Sequence, residues 1–142
     1  MATRPSLSRG AESMATPIDP PAGLRVGPSP GKGRGVFATR AFHRGEVVEV
    51  APVLVLPADQ QDRIDGTVLD SYVFGWGDTV AIALGFGSLY NHSWSPNLEY
   101  RKRLAEGTLE FIAIADIAAG DELTTNYTVS NPHRSDLWGD LG

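Results

Sequence analysis

The chain has 142 residues, 42 % of them apolar, which suits one domain with a single modest core. It contains no cysteine, so disulfides and thiolate-held zinc or iron–sulfur sites are excluded. Its three scattered histidines, His43, His92 and His133, lack ligand spacing, so no metal is expected. A net charge of −5 opposes tight binding to nucleic acid and suits a basic peptide or protein partner, and no apolar run is long enough to span a bilayer.

Residues 1–22 are rich in Pro, Ala, Ser and Thr with few large apolar side chains, which predicts a disordered tail. The tail lacks the apolar stretch of a secretory signal, and Glu12 and Asp19 oppose a transit peptide despite Arg4 and Arg9, so the cytoplasm is the default location. One domain is expected over residues 23–129 and a separate C-terminal segment over 130–142. From Gly23 onward, short β-like runs alternate with Gly and Pro punctuation. Strands are predicted at 24–26, 35–39, 46–52, 53–56, 71–74, 79–83, 98–102, 109–115 and 122–124. Gly75–Asp78 and Ala105–Gly107 read as hairpin turns. Residues 59–69 are the single candidate helix, with thin apolar spacing at Ile64, Val68 and Leu69. The reading is a mostly β protein of short strands.

Three segments carry the chemistry. Gly31-Lys32-Gly33-Arg34-Gly35-Val36-Phe37 has glycines that let backbone approach a ligand, but a phosphate loop fails on spacing and on the missing Ser or Thr after Lys32. A mobile turn before a strand reads it equally well. Ser88-Leu89-Tyr90-Asn91-His92-Ser93-Trp94-Ser95-Pro96-Asn97 gathers polar side chains that also suit irregular backbone. A Ser-His nucleophile fails there, because Ser93 directly follows His92 and no acid or nucleophile elbow accompanies them. Gly120-Asp121-Glu122-Leu123-Thr124-Thr125-Asn126-Tyr127 is a turn and a strand ending in tyrosine, which alone reads as packing.

In that order, over residues 23–129, these segments resemble the SET domain of protein-lysine methyltransferases. The resemblance implies a β-clip-like fold of several small sheets, with Glu122–Tyr127 passing under the loop Asn91–Asn97 in a C-terminal pseudoknot. It implies transfer of a methyl group from S-adenosylmethionine to a lysine amine of a protein or peptide partner. Gly33, Arg34 and Gly35, with neighbouring Lys32, match the turn around the cofactor's methionine end. Asn91 and His92, with neighbouring Tyr90, match the residues holding its amino group and adenine. Tyr127 matches the active-site tyrosine, and Tyr72 resembles a second tyrosine of the lysine channel.

The chain departs from the family pattern at several points. Trp94 stands where many members have cysteine, Val50 where many have tyrosine, and Asn126 where aspartate is frequent. Thr125 stands where Phe or Tyr often limits the number of methyl groups. The cysteine-rich zinc segment is absent, and Trp138 in the C-terminal segment is the expected substitute covering the cofactor site. Two other functions are compatible with these departures: a peptide-binding module without catalysis, and a methyltransferase acting on a small-molecule amine. The oligomeric state has no signal in the sequence.

Overall fold

A computed structural model describes residues 17–129, and strands dominate them. Tail residues 1–16 and the segment 130–142, with Trp138, lie outside the described residues. A four-stranded sheet has the order β1-β2-β9-β6 and a five-stranded sheet the order β4-β5-β3-β8-β7.

Strands β1 (Leu24–Ser29) and β2 (Gly33–Ala38) form a hairpin paired from Leu24↔Ala38 to Ser29↔Gly33. Strand β1 runs three residues further than propensity suggests because it is an edge strand, where Pro28 costs no ladder bond. The predicted pair 46–52 and 53–56 is one strand, β3 (Val47–Val55). Its first half pairs with β8 (Thr108–Ala113) and its second with β5 (Thr79–Ala83). Pro52 sits at this handover, its carbonyl accepting from the Leu84 N–H at 2.8 Å.

The predicted helix over 59–69 is not one helix. Two short 3-10 helices, Ala58–Arg63 and Val68–Ser71, flank Gly66 at φ +77°, and neither buries a residue. Without an apolar face to dock, so short a segment gains nothing from a continuous helix. The first predicted turn is also tighter, since Gly75 and buried Trp76 belong to β4 (Val73–Trp76) and Gly77-Asp78 alone joins it to β5. No helix among the described residues is long and apolar enough to cross a membrane.

Alternation on β3, β5 and β8 turns Ala51, Val53, Ala81, Ala83, Leu109 and Phe111 inward. Phe111 packs against Tyr90, Tyr100 and Phe74, with ring centroids at 4.6, 6.0 and 6.5 Å. A fully buried side chain of this size contributes about 1.5–3 kcal/mol relative to leaving it in water.

The C-terminal strand β9 (Glu122–Thr125) is held on both sides. It pairs antiparallel with β2 and parallel with the two-residue β6 (Asn91–His92). Beyond β6 the chain crosses β9 before entering β7 (Leu98–Arg103). Asn97 clasps the crossing: its Nδ2 donates to the Glu122 carbonyl and its Oδ1 accepts from the Thr124 N–H, both at 2.9 Å. Loop over strand, with a side chain locking the two, is the pseudoknot the resemblance implied.

Candidate active site

A cleft of about 510 Å³ opens where the β1–β2 turn, the end of the second 3-10 helix, the approach to β6 and the start of the third 3-10 helix (Tyr127–Val129) converge. The glycine turn contributes residues 31–34, the second segment Ser71 and Tyr72, the third Ser88, Leu89, Asn91 and His92, and the last Tyr127. Such a volume suits a small-molecule ligand.

Gly31 and Gly33 have φ of +75° and +78°, which L side chains rarely adopt, and a Cβ on either would meet nothing within 4 Å. Their backbone is open to close approach from the cleft. Lys32 ties the turn down, its Nζ donating to the His92 carbonyl at 2.8 Å.

Asn91 has a defined orientation. Its Nδ2 donates to the Arg34 carbonyl at 3.0 Å and to Glu122 Oε2 at 2.7 Å. Both amide protons are thereby spent, and Oδ1 is left as the acceptor for whatever the cleft holds.

His92 is buried, and its Nδ1 accepts from the Tyr127 N–H at 3.0 Å. The neutral ring therefore carries its proton on Nε2, a buried donor without a partner among the described residues. Burial, and after it the Lys32 ammonium, lower the imidazole pKa. The unfolded chain thus takes up this proton at higher pH than the folded one, so stability falls as pH drops below about 6.5. Urea midpoints should decline from pH 7.5 to pH 5 in the native chain and flatten in His92→Asn. An equal decline in both would locate the titration elsewhere.

Tyr127 donates its hydroxyl to the Tyr90 carbonyl at 2.5 Å. Burial first, then Tyr72 and Glu122, push its pKa up to about 12. The phenol stays neutral, and with its proton committed it presents lone pairs. Tyr72 is half-exposed at the rim.

Of the residues singled out in the sequence, Lys32, Gly33, Arg34, Asn91, His92, Tyr72 and Tyr127 come together on this cleft. Gly35 lies behind its wall against Glu122 and Asn91. The Tyr90 side chain does not reach it. It lies in the core, where its hydroxyl donates to buried Glu49 at 2.7 Å. Tyr90 serves the cleft through its carbonyl alone. Burial raises the Glu49 carboxyl above the usual carboxylate range despite bonds from Tyr90 and the Phe86 N–H. Thr125 is buried and Val50 of β3 pairs with Glu110 of β8, and neither lines the cleft. Trp94 is half-exposed, edge-on to the His92 ring at 4.3 Å. Sequence reasoning gave no role to Glu122, Ser88 or Leu89. A carboxylate inside the Gly-Asp-Glu-Leu turn is the one signal pointing to Glu122.

Residues 33–128 match the family model described as SET domain. A Schizosaccharomyces pombe histone-lysine N-methyltransferase specific for H3 lysine-37 is 31 % identical over 98 residues, 68 % of this chain and 67 % of that protein. The Drosophila pseudoobscura histone-lysine N-methyltransferase Set8 is 34 % identical over 120 residues, 74 % of this chain but 17 % of the relative. A crystallised Plasmodium falciparum protein, described as a candidate histone methyltransferase, superposes with a TM-score of 0.61 at 26 % identity, covering 78 % of this chain and 95 % of that one. A humanized mutant of the Chaetomium thermophilum Polycomb Repressive Complex 2, bound to the inhibitor GSK126, gives a TM-score of 0.67 at 22 % identity, a likeness of fold. It covers 83 % of this chain and 16 % of that one. The chain belongs to the SET-domain family.

Proposed function

We propose that this protein transfers a methyl group from S-adenosylmethionine to the side-chain amine of a lysine in a protein substrate. The observation that carries the reading is the pair of oriented acceptors on one cleft, Asn91 Oδ1 beside the glycine turn and the Tyr127 hydroxyl oxygen beside Tyr72.

The donor set suits the cofactor. An ammonium answers Asn91 Oδ1, and a carboxylate answers the open backbone and Arg34 at the turn. When bound, the cofactor supplies a methyl group on a sulfonium.

The protein's own work is on the acceptor. At pH 7 roughly one lysine in a few thousand is neutral, because the free amine titrates near 10.4. A cleft holding positive charge and little water disfavours the ammonium form. Tyr127 then accepts an amine N–H, and the nitrogen lone pair is turned away from the phenol. Neutral up to about pH 12, the phenol orients the amine and does not act as a strong base. Positioning of this kind is worth several kcal/mol. Tyr72 flanks the entering lysine stem, and the acidic chain, at −5, favours a basic polypeptide partner.

Calorimetric titration of S-adenosylmethionine tests the reading. The native chain should release heat, and Asn91→Ala should bind at least tenfold more weakly, as loss of a bond to a charged group requires. Silence from the native chain would leave a SET fold that binds peptide without a cofactor.

A further inference from the structure

We infer that Glu122 is a positioning residue for the cofactor site: its carboxylate fixes which end of the Asn91 amide faces the cleft, and so selects ligands bearing an ammonium group. The inference rests on the cofactor reading above and assigns a residue to it that does not line the cleft.

An asparagine side chain is two-faced. Half a turn about its last bond exchanges an acceptor for a pair of donors at the same place, with little change in shape. Which face the cleft meets is decided behind the wall. There Asn91 Nδ2 lies 2.7 Å from Glu122 Oε2 and 3.0 Å from the Arg34 carbonyl. Reversing the amide would aim Oδ1 at both of these acceptors. One is a full negative charge, and bonds to ionised acceptors are about twice as strong as neutral ones.

The carboxylate is itself held in place. Its other oxygen accepts from the buried Ser29 hydroxyl at 2.8 Å, and its backbone is paired with Phe37 of β2. Gly35 leaves the room it occupies: a Cβ there would collide with Glu122 Oε2 and stand 2.9 Å from Asn91 Nδ2. Three strands thus contribute to one arrangement, with Ser29 on β1, Gly35 on β2 and Glu122 on β9. No Lys or Arg among the described residues forms a salt bridge with Glu122. Its charge is unmatched next to a site that takes a cation.

The test compares two thioethers of the same nucleoside by calorimetry. S-adenosylhomocysteine carries the ammonium, and 5′-methylthioadenosine lacks the whole amino-acid portion. Glu122→Met keeps the side-chain length and removes the acceptor. It should weaken S-adenosylhomocysteine at least tenfold and leave 5′-methylthioadenosine within twofold, which also shows the variant is folded. Glu122→Gln should rescue, staying within threefold for both ligands. Its amide oxygen can take Asn91 Nδ2 while its own NH₂ turns to the Ser29 oxygen, a group able to accept. If Glu122→Met does not fold, Ser29→Ala, which releases the other carboxylate oxygen without touching Asn91, should likewise weaken S-adenosylhomocysteine and leave 5′-methylthioadenosine within twofold. Equal loss of both ligands, or loss of neither, overturns the role of Glu122 alone. A native chain that binds neither thioether overturns the cofactor reading with it.

Discussion

Tyr127→Phe is expected to lower kcat on a lysine peptide by roughly 10²-fold, the scale set by misplacing a reacting group by about an ångström. Affinity for S-adenosylhomocysteine should stay within twofold. The split follows from where the hydroxyl points. Its proton is committed to the Tyr90 carbonyl, so its oxygen is an acceptor on the amine side of the cleft, while the ring edge and backbone that meet His92 survive in phenylalanine. A phenol acting as a general base would predict something else as well. It would give a pH profile with an ionisation of its own, and burial moves that ionisation up to about 12, beyond the working range. The rise of kcat with pH should therefore keep its shape in the variant and lose only height. Undiminished turnover, or loss of cofactor binding in step with turnover, contradicts the assigned role.

The legible parts of this chain are those whose signal lies within a few residues. The alternation of Thr79–Ala83 marked β5 to the residue, and the turn glycines Gly77 and Gly107 marked two hairpins. The order of the three polar motifs points to Gly33, Asn91, His92 and Tyr127, which share one cleft. Other features were illegible for physical reasons. Strand β6 is two residues long and has no period to display. Tyr90 is Asn91's neighbour in sequence, but its ring lies in the core, and only the packing shows that. The Ser29–Glu122 bond joins residues 93 apart, and the Asn91–Glu122 bond residues 31 apart. The 59–69 segment misled in the opposite sense, since its spacing suggested a helix where the fold offers that helix nothing to pack against.

Asn97→Ala should have the largest effect on stability. The wild-type amide satisfies two backbone groups of β9 at once, the Glu122 carbonyl and the Thr124 N–H, where the strand runs beneath the loop. Alanine leaves both groups unpaired, at about 1–3 kcal/mol each, and partial access of water at this half-buried site favours the lower end. An expected loss of about 2–4 kcal/mol is then a large share of the roughly 5–15 kcal/mol that holds a domain together. Asn97→Asp separates the two bonds. It keeps an acceptor for the Thr124 N–H but turns a charged oxygen toward the Glu122 carbonyl, so it should recover little. The damage should also reach the cleft, because β9 ends two residues before Tyr127 and carries Glu122 against Asn91. In urea titrations of both variants, the midpoint and the affinity for S-adenosylhomocysteine should fall together. An unfolding free energy within about 1 kcal/mol of wild type would mean that strand pairing with β2 and β6 holds β9 without the clasp.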